Sequence, residues 1–297
     1  MNVPTRLGAF TLVLGVVFAA AYGAGALADP ATTSPSGHEM AGGDGAAGHD
    51  AAGGHGTDQA ATASGGPGGL AVAADGYTLR QLSGAPVAGQ PGEYAFRIVD
   101  ADGAPVTRFQ VSHDKQLHLI VVRRDLTGFQ HLHPQLSPDG TWRTPLAFAG
   151  AGDWRIFADF LPQGRDRQVI LGVDVPVPGD YRPQPMPEPA TTAAAAGYTV
   201  RVDGHLVAGH VSRLTLTVSH DDTPVTDLQP YLGAYGHLVA LRAGDLGYLH
   251  VHPQETTTAG PAITFDVEVP TAGAYRLFLN FQHDGVVRTA GFTATAS

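Results

Sequence analysis

One eighteen-residue segment occurs twice in this chain without a gap. Leu117 to Pro134 reads LHLIVVRRDLTGFQHLHP and Gly236 to Pro253 reads GHLVALRAGDLGYLHVHP; seven positions are identical, and three of the seven are histidines. Shorter matches flank it. Gly76-Tyr77-Thr78 corresponds to Gly197-Tyr198-Thr199, Pro105-Val106-Thr107 to Pro224-Val225-Thr226, and Trp154-Arg155-Ile156-Phe157 to Tyr275-Arg276-Leu277-Phe278. The chain therefore holds two copies of one module of roughly 100 residues, enough for each to build its own core.

Within each copy, short apolar runs such as Tyr94–Ile98, Leu117–Arg123, Trp154–Phe160 and Gln168–Val175 alternate with turn residues such as Asp102-Gly103 and Asp139-Gly140. Glycine (39) and proline (22) make up about a fifth of the 297 residues, and uninterrupted amphipathic helical patterns are absent. This spacing predicts an all-β chain with two tandem immunoglobulin-like β-sandwich modules, at 70–177 and 196–297.

The flanks read differently. Leu7 to Ala28 is a 22-residue apolar run without charge after Arg6, an N-terminal apolar helix. Ala26-Leu27-Ala28 offers a signal-peptidase site before Asp29, while the length also suits an uncleaved membrane anchor. Either reading of residues 1–28 exports the remainder and confines membrane contact to this segment. Residues 29–69 are Gly/Ala/His-rich and lack apolar bulk, so they read as a disordered tether. Its His38-Glu39 and His49-Asp50 pairs, with His55, could capture cations weakly or be incidental. The Pro/Ala-rich stretch 178–195 reads as a semi-rigid spacer.

Composition narrows the chemistry. A net charge of −10, with Lys115 as the single lysine, leaves no basic stripe for nucleic acid. The absence of cysteine excludes a disulfide framework and a thiolate site, and three methionines offer little to Cu(I). A metal held by the modules must be bound through nitrogen and oxygen.

The repeated segment reads as a β-hairpin. If Arg123 and Gly128 close a four-residue loop, Arg124 to Thr127, then His118 lies opposite His133 and Ile120 opposite His131. Side chains two apart share a face, so His118, His131 and His133 converge. The same register gathers His237, His250 and His252, one site per module. A slip of one residue would send His118 to the other face. That face also carries Ile120, Val122 and Phe129, and Val239, Leu241 and Tyr248, so the histidines could instead be packing residues bonded to carbonyls. His113, His283 and Asp159 (which aligns with Asn280) occur in one copy only and are further candidate ligands. Arg123/Arg242 and Arg155/Arg276 read as structural ion-pair or strand-edge residues. Three neutral imidazoles with an open position suit Cu(II) first and Zn(II) second, whereas calcium and magnesium want carboxylates.

The apolar leader, the Gly/His-rich tether and the tandem "RRDLTGFQHLHP" and "RAGDLGYLHVHP" hairpins resemble those of a group of actinobacterial exported heavy-metal-binding proteins. More distantly, the modules are similar to periplasmic copper-resistance β-sandwich chaperones. In those chaperones the ligands include the mature N-terminal amine and its histidine, for which this chain has no counterpart. The resemblance implies copper or heavy-metal handling outside the cytoplasm, with a membrane metal transporter or another exported metal protein as exchange partner. A binding module that buffers or relays a divalent ion is thus the expected function. The alternatives are a tri-histidine metalloenzyme, for which no G-x-S-x-G, H-E-x-x-H or repeated acidic residue is found, and a metal-free adhesive β-sandwich pair.

Overall fold

A computed structural model describes residues 67–297, apart from His252, Glu255 and the side chain of His250. The leader at 1–28 and all but the last three residues of the tether lie outside the described residues.

Every regular element among the described residues is a strand. The first module contains β1 (Ala73–Ala74), β2 (Tyr77–Gln81), β3 (Pro91–Val99), β4 (Phe109–Gln110), β5 (Leu117–Arg123), β6 (Gln130–Leu132), β7 (Gln135–Leu136), β8 (Thr141–Ala147), β9 (Gly152–Pro162) and β10 (Val169–Val177). The second contains β11 (Thr192–Ala195), β12 (Tyr198–Asp203), β13 (Val211–His220), β14 (Thr223–Pro224), β15 (Gly236–Arg242), β16 (Tyr248–Val251), β17 (Ala262–Glu268), β18 (Gly273–His283) and β19 (Val286–Ala296). In the first module the sheet β1-β2-β3-β8-β7 faces β10-β9-β5-β6. In the second, β12, β13 and β17 face β16-β15-β18-β19. The strand orders are those of an immunoglobulin-like sandwich, A-B-E on one sheet and G-F-C-C′ on the other.

Each sandwich has its own core. Phe96, Ile98 and Trp142 meet Leu119, Val121, Trp154 and Ile156 in the first. Val200, Leu216 and Phe265 meet Leu238, Tyr275, Leu277 and Phe292 in the second. Along β5 the odd positions 117, 119 and 121 point into that core, so His118, Ile120 and Val122 point out. A lone sandwich would show that outer face to water, yet His118 is 1% exposed and Ile120 and Val122 are 0%. A third cluster covers it: Ile120, Val122, Leu126 and Phe157 pack against Val239, Leu241, Leu246, Tyr248 and Phe278. The G-F-C-C′ sheets of the two modules are therefore pressed face to face. Phe129 stacks on Phe278 with ring centroids 4.1 Å apart, and Phe157 lies 5.3 Å from Tyr248. Burial on both faces accounts for the almost unbroken apolar run LHLIVV, where one-sided burial would have produced alternation.

Two segments expected to be spacer are structured. Thr192–Ala195 pairs antiparallel with β12 around a turn in which Ala196 and Gly197 take positive φ (49° and 88°). Small side chains let that edge strand lie flat, so the Pro/Ala-rich spacer is shorter than 178–195. At the other flank, Gly69 N–H donates to Ile170 O (3.0 Å) and Tyr248 N–H donates to Gly68 O (3.1 Å), which ties the end of the tether to both modules. Glycine is required there. A Cβ on Gly69, whose φ is +74°, would stand 2.3 Å from the Phe157 ring. The buried Arg155 guanidinium donates to Gly69 O and pairs with Asp174 at 3.2 Å.

Candidate metal centre

The expected hairpin register is the observed one. Leu119 pairs with Leu132, Ile120 with His131 and Val121 with Gln130; in the second module Val239 pairs with His250. The turns are alike but are offset by one residue from the gapless alignment. Arg123 is bound by Asp125 (2.7 Å) and Arg242 by Asp245, and the next residues, Leu126 and Leu246, take φ of 63° and 62° to plug the inter-module cluster. Burial pushes the Asp125 carboxyl up, but Arg123, the Gln184 amide and Thr127 outweigh it and hold its pKa at about 2. Arg123 and Arg242 are thus loop ion-pair residues.

His118 on β5, His131 on β6 and His133 just beyond it bring one ring nitrogen each to within 4.8 Å of one another. His118 Nδ1 lies 3.0 Å from His131 Nε2 and 3.2 Å from His133 Nε2. Two nitrogens bound to one tetrahedral ion at about 2.0–2.1 Å stand about 3.3–3.4 Å apart, so these spacings fit a divalent ion with little rearrangement.

The outer nitrogens show which way the rings present their lone pairs. His118 Nε2–H donates to Ser112 O (3.1 Å). His131 Nδ1–H donates to Asn280 Oδ1 (3.0 Å), and Asn280 is held in that orientation because its Nδ2 donates to Thr289 Oγ1 (2.8 Å). Each neutral imidazole has one proton. With those protons on the outer nitrogens, His118 Nδ1 and His131 Nε2 aim lone pairs at each other across 3.0 Å. Two facing lone pairs repel unless a cation, or a proton from His133, lies among them. Anchoring the far N–H to a carbonyl is how protein imidazoles are oriented toward metals. Burial, reinforced by the charges His133 and His118 would carry, pushes the His131 pKa well below its usual value, although the Asn280 bond opposes this. Burial and then the neighbouring His118 lower that of His133 to about 3. Both rings therefore stay neutral, the ligand form, far into the acid range.

The second module reaches this group. His237 is 2% exposed, and its Nε2–H donates to Tyr231 O (2.7 Å), just as His118 donates to the carbonyl six residues before it. Its ring centroid is 6.3 Å from that of His131. The Tyr231 hydroxyl is 3.4 Å from His133 Nδ1. His113 sits in a tight turn with φ of 48°, its ring 5.3 Å from His237 and 6.2 Å from His118. The side chain of His250 and the whole of His252 lie outside the described residues. Of the other singletons, His283 is held by the Tyr198 hydroxyl (2.7 Å) and Asp227 (3.1 Å) instead. Asp159 is buried opposite His118 in the β5–β9 pairing and accepts from the Tyr248 hydroxyl (3.1 Å). Sequence reasoning missed Asn280 and Tyr231 as partners of the triad, because no local pattern marks a contact across the module junction.

The family described as Domain of unknown function (DUF8832) matches the chain twice, over residues 71–177 and 192–297. A comparison with curated proteins finds no match. Among solved structures, the chain is similar to FdeC, an adhesin of Escherichia coli, with 15% identity and a TM-score of 0.25, covering 76% of this chain and 66% of that one. It is also similar to invasin, a bacterial integrin-binding protein (14% identity, TM-score 0.22, 73% and 39% covered). Domains 4–9 of the surface layer protein SbsC give 13% identity and a TM-score of 0.23, with 74% and 31% covered. The chain spans 66% or less of the length of each of these three.

Proposed function

We propose that this chain, which belongs to the DUF8832 family and holds its domain twice, is an exported protein that binds a divalent metal ion, Cu(II) or Zn(II), through His118, His131 and His133. The observation that carries this reading is the convergence of the three ring nitrogens within 4.8 Å, with the far nitrogens of His118 and His131 anchored on oxygen acceptors. The ion would be cargo, buffered or relayed outside the cytoplasm, and the imidazole donor set favours copper over zinc in intrinsic affinity. An exchange partner would be a membrane transporter or another exported metal protein.

A second reading is a metal-free structural or adhesive pair of sandwiches. It is favoured by the hydrogen bond that His133 Nε2–H can donate to His118 Nδ1 without any ion, and by the apolar cluster that joins the modules. Isothermal titration of the full chain with Cu(II) and with Zn(II) separates the two. Metal binding requires a tight site that is lost in His131→Ala; heat traces without a tight site for either ion would leave the structural reading in place.

A further inference from the structure

Among the described residues, the outer nitrogen of His118 is held by its own module, through Ser112 O. The outer nitrogen of His131 is held by Asn280 Oδ1, and that of His133 faces the Tyr231 hydroxyl; both partners belong to the second module. His237 brings a further imidazole from the same side, 6.3 Å from His131. Immediately beside this group the apolar cluster joins β5 and β9 to β15 and β18. The ligands thus come from one module and much of their orientation from the other.

Resting on the metal-binding reading above, we propose that the site belongs to the module junction, so that ion binding and face-to-face docking of the two sandwiches are coupled. An ion at His118, His131 and His133 locks the junction through Asn280 and Tyr231, and loosening the junction releases the ion. Asn280 and Tyr231 are positioning residues in this scheme: they hold the inner lone pairs of His131 and His133 on the ion. When bound, His133 must present Nε2 as a lone pair, and its Nδ1–H then donates to the Tyr231 oxygen. Coupling is reciprocal by necessity: whatever docking adds to ion affinity, the ion adds to docking.

The test uses the full chain. Competition titration with Zn(II) and Cu(II) is run on the native protein and on Asn280→Ala, Tyr231→Phe and Asn280→Asp. Loss of a partner in this position weakens metal affinity about 10- to 100-fold. Asn280→Ala should show a loss of that size. Asn280→Asp should retain native affinity or exceed it, since a carboxylate still accepts from His131 Nδ1–H and the equivalent position in the first module is already Asp159. Melting of the metal-free variants is followed in parallel. The chain has no cysteine, so Val87→Cys and Val286→Cys, both at exposed sites, place one spin label in each module. Zn(II) should narrow the inter-label distance distribution in the native background and leave it unchanged with His131→Ala. Ion binding by the native chain with unaltered affinity in Asn280→Ala and Tyr231→Phe, and with no narrowing, would overturn the coupling while leaving metal binding intact. Equal losses in Asn280→Ala and Asn280→Asp that track metal-free melting would make Asn280 merely structural and also overturn it. No binding by the native chain would remove both proposals together.

Discussion

Acidifying the metal-free protein from about pH 7 to pH 5 titrates histidines selectively, because the ordinary imidazole pKa is about 6.5 and that of carboxylates is about 4. In the folded chain, burial and the neighbouring imidazoles lower the His133 pKa to about 3. The folded value is depressed, so the unfolded state binds the extra proton first. The stability held by neutral His133 is therefore complete above the unfolded pKa and is lost as pH falls below it, down to the folded value. Integrating the proton difference down to pH 5 yields a loss of about 2 kcal/mol for this one residue. His131, shifted in the same direction by the same causes, adds to it. Asp125 works in the same sense but in a lower window: its folded pKa of about 2 lies under the unfolded carboxylate value, so its share is lost only below about pH 4. Urea denaturation at pH 7 and at pH 5, on the native chain and on His133→Gln, measures the effect. The native chain should lose stability over this interval and the variant should lose about 2 kcal/mol less. Identical pH slopes for the two proteins would refute the argument that His133 is buried as a neutral ring.

Two further outcomes test the packing. Phe278→Ala removes a ring stacked on Phe129 at 4.1 Å within the inter-module cluster; it should cost about 3–5 kcal/mol and show a separate early transition by calorimetry, with both sandwich cores intact. Gly69→Ala should destabilise by more than the roughly 1 kcal/mol of a positive-φ site alone, because its Cβ would meet Phe157 at 2.3 Å, whereas Gly76→Ala, with nothing within 4 Å, should show only the backbone cost; comparable denaturation midpoints for the two variants would contradict the tight fit of Gly69 against Phe157.

Much of the hairpin was legible because strand periodicity is strict. Once Ile120 is set opposite His131, every other pair follows, and period two puts His118 on the face of His131 and His133. The apolar character of that face was equally visible in Ile120, Val122, Val239 and Leu241. What covers it was not, because two apolar faces carry no local record of which surface they meet. The same limit hid Asn280 and Tyr231: they lie 149 and 98 residues from the imidazoles they approach. The loop offset escaped the gapless alignment for another reason. The turn is defined by an aspartate that binds the strand-end arginine and a leucine at positive φ, and each copy keeps that Asp-Leu pair at a different distance from the arginine.

The copies differ where they touch, and the differences are complementary. Asp159 and Asn280 occupy the same strand position, opposite His118 and His237 respectively. Phe129 and Tyr248 are likewise equivalent. Across the junction the neutral amide Asn280 receives His131, while the carboxylate Asp159 receives the hydroxyl that Tyr248 has and Phe129 lacks. A buried carboxylate needs a donor, whereas an amide oxygen accepts the imidazole N–H without bringing a negative charge into an apolar junction. An amide acceptor also leaves His131 less electron-rich than a carboxylate would. On the metal-binding proposal, an amide at this position would leave the first module's triad holding an ion less tightly than a carboxylate would. The two halves share a fold and a register, but their junction is chemically one-sided, with His118, His131 and His133 set against an amide from the partner copy.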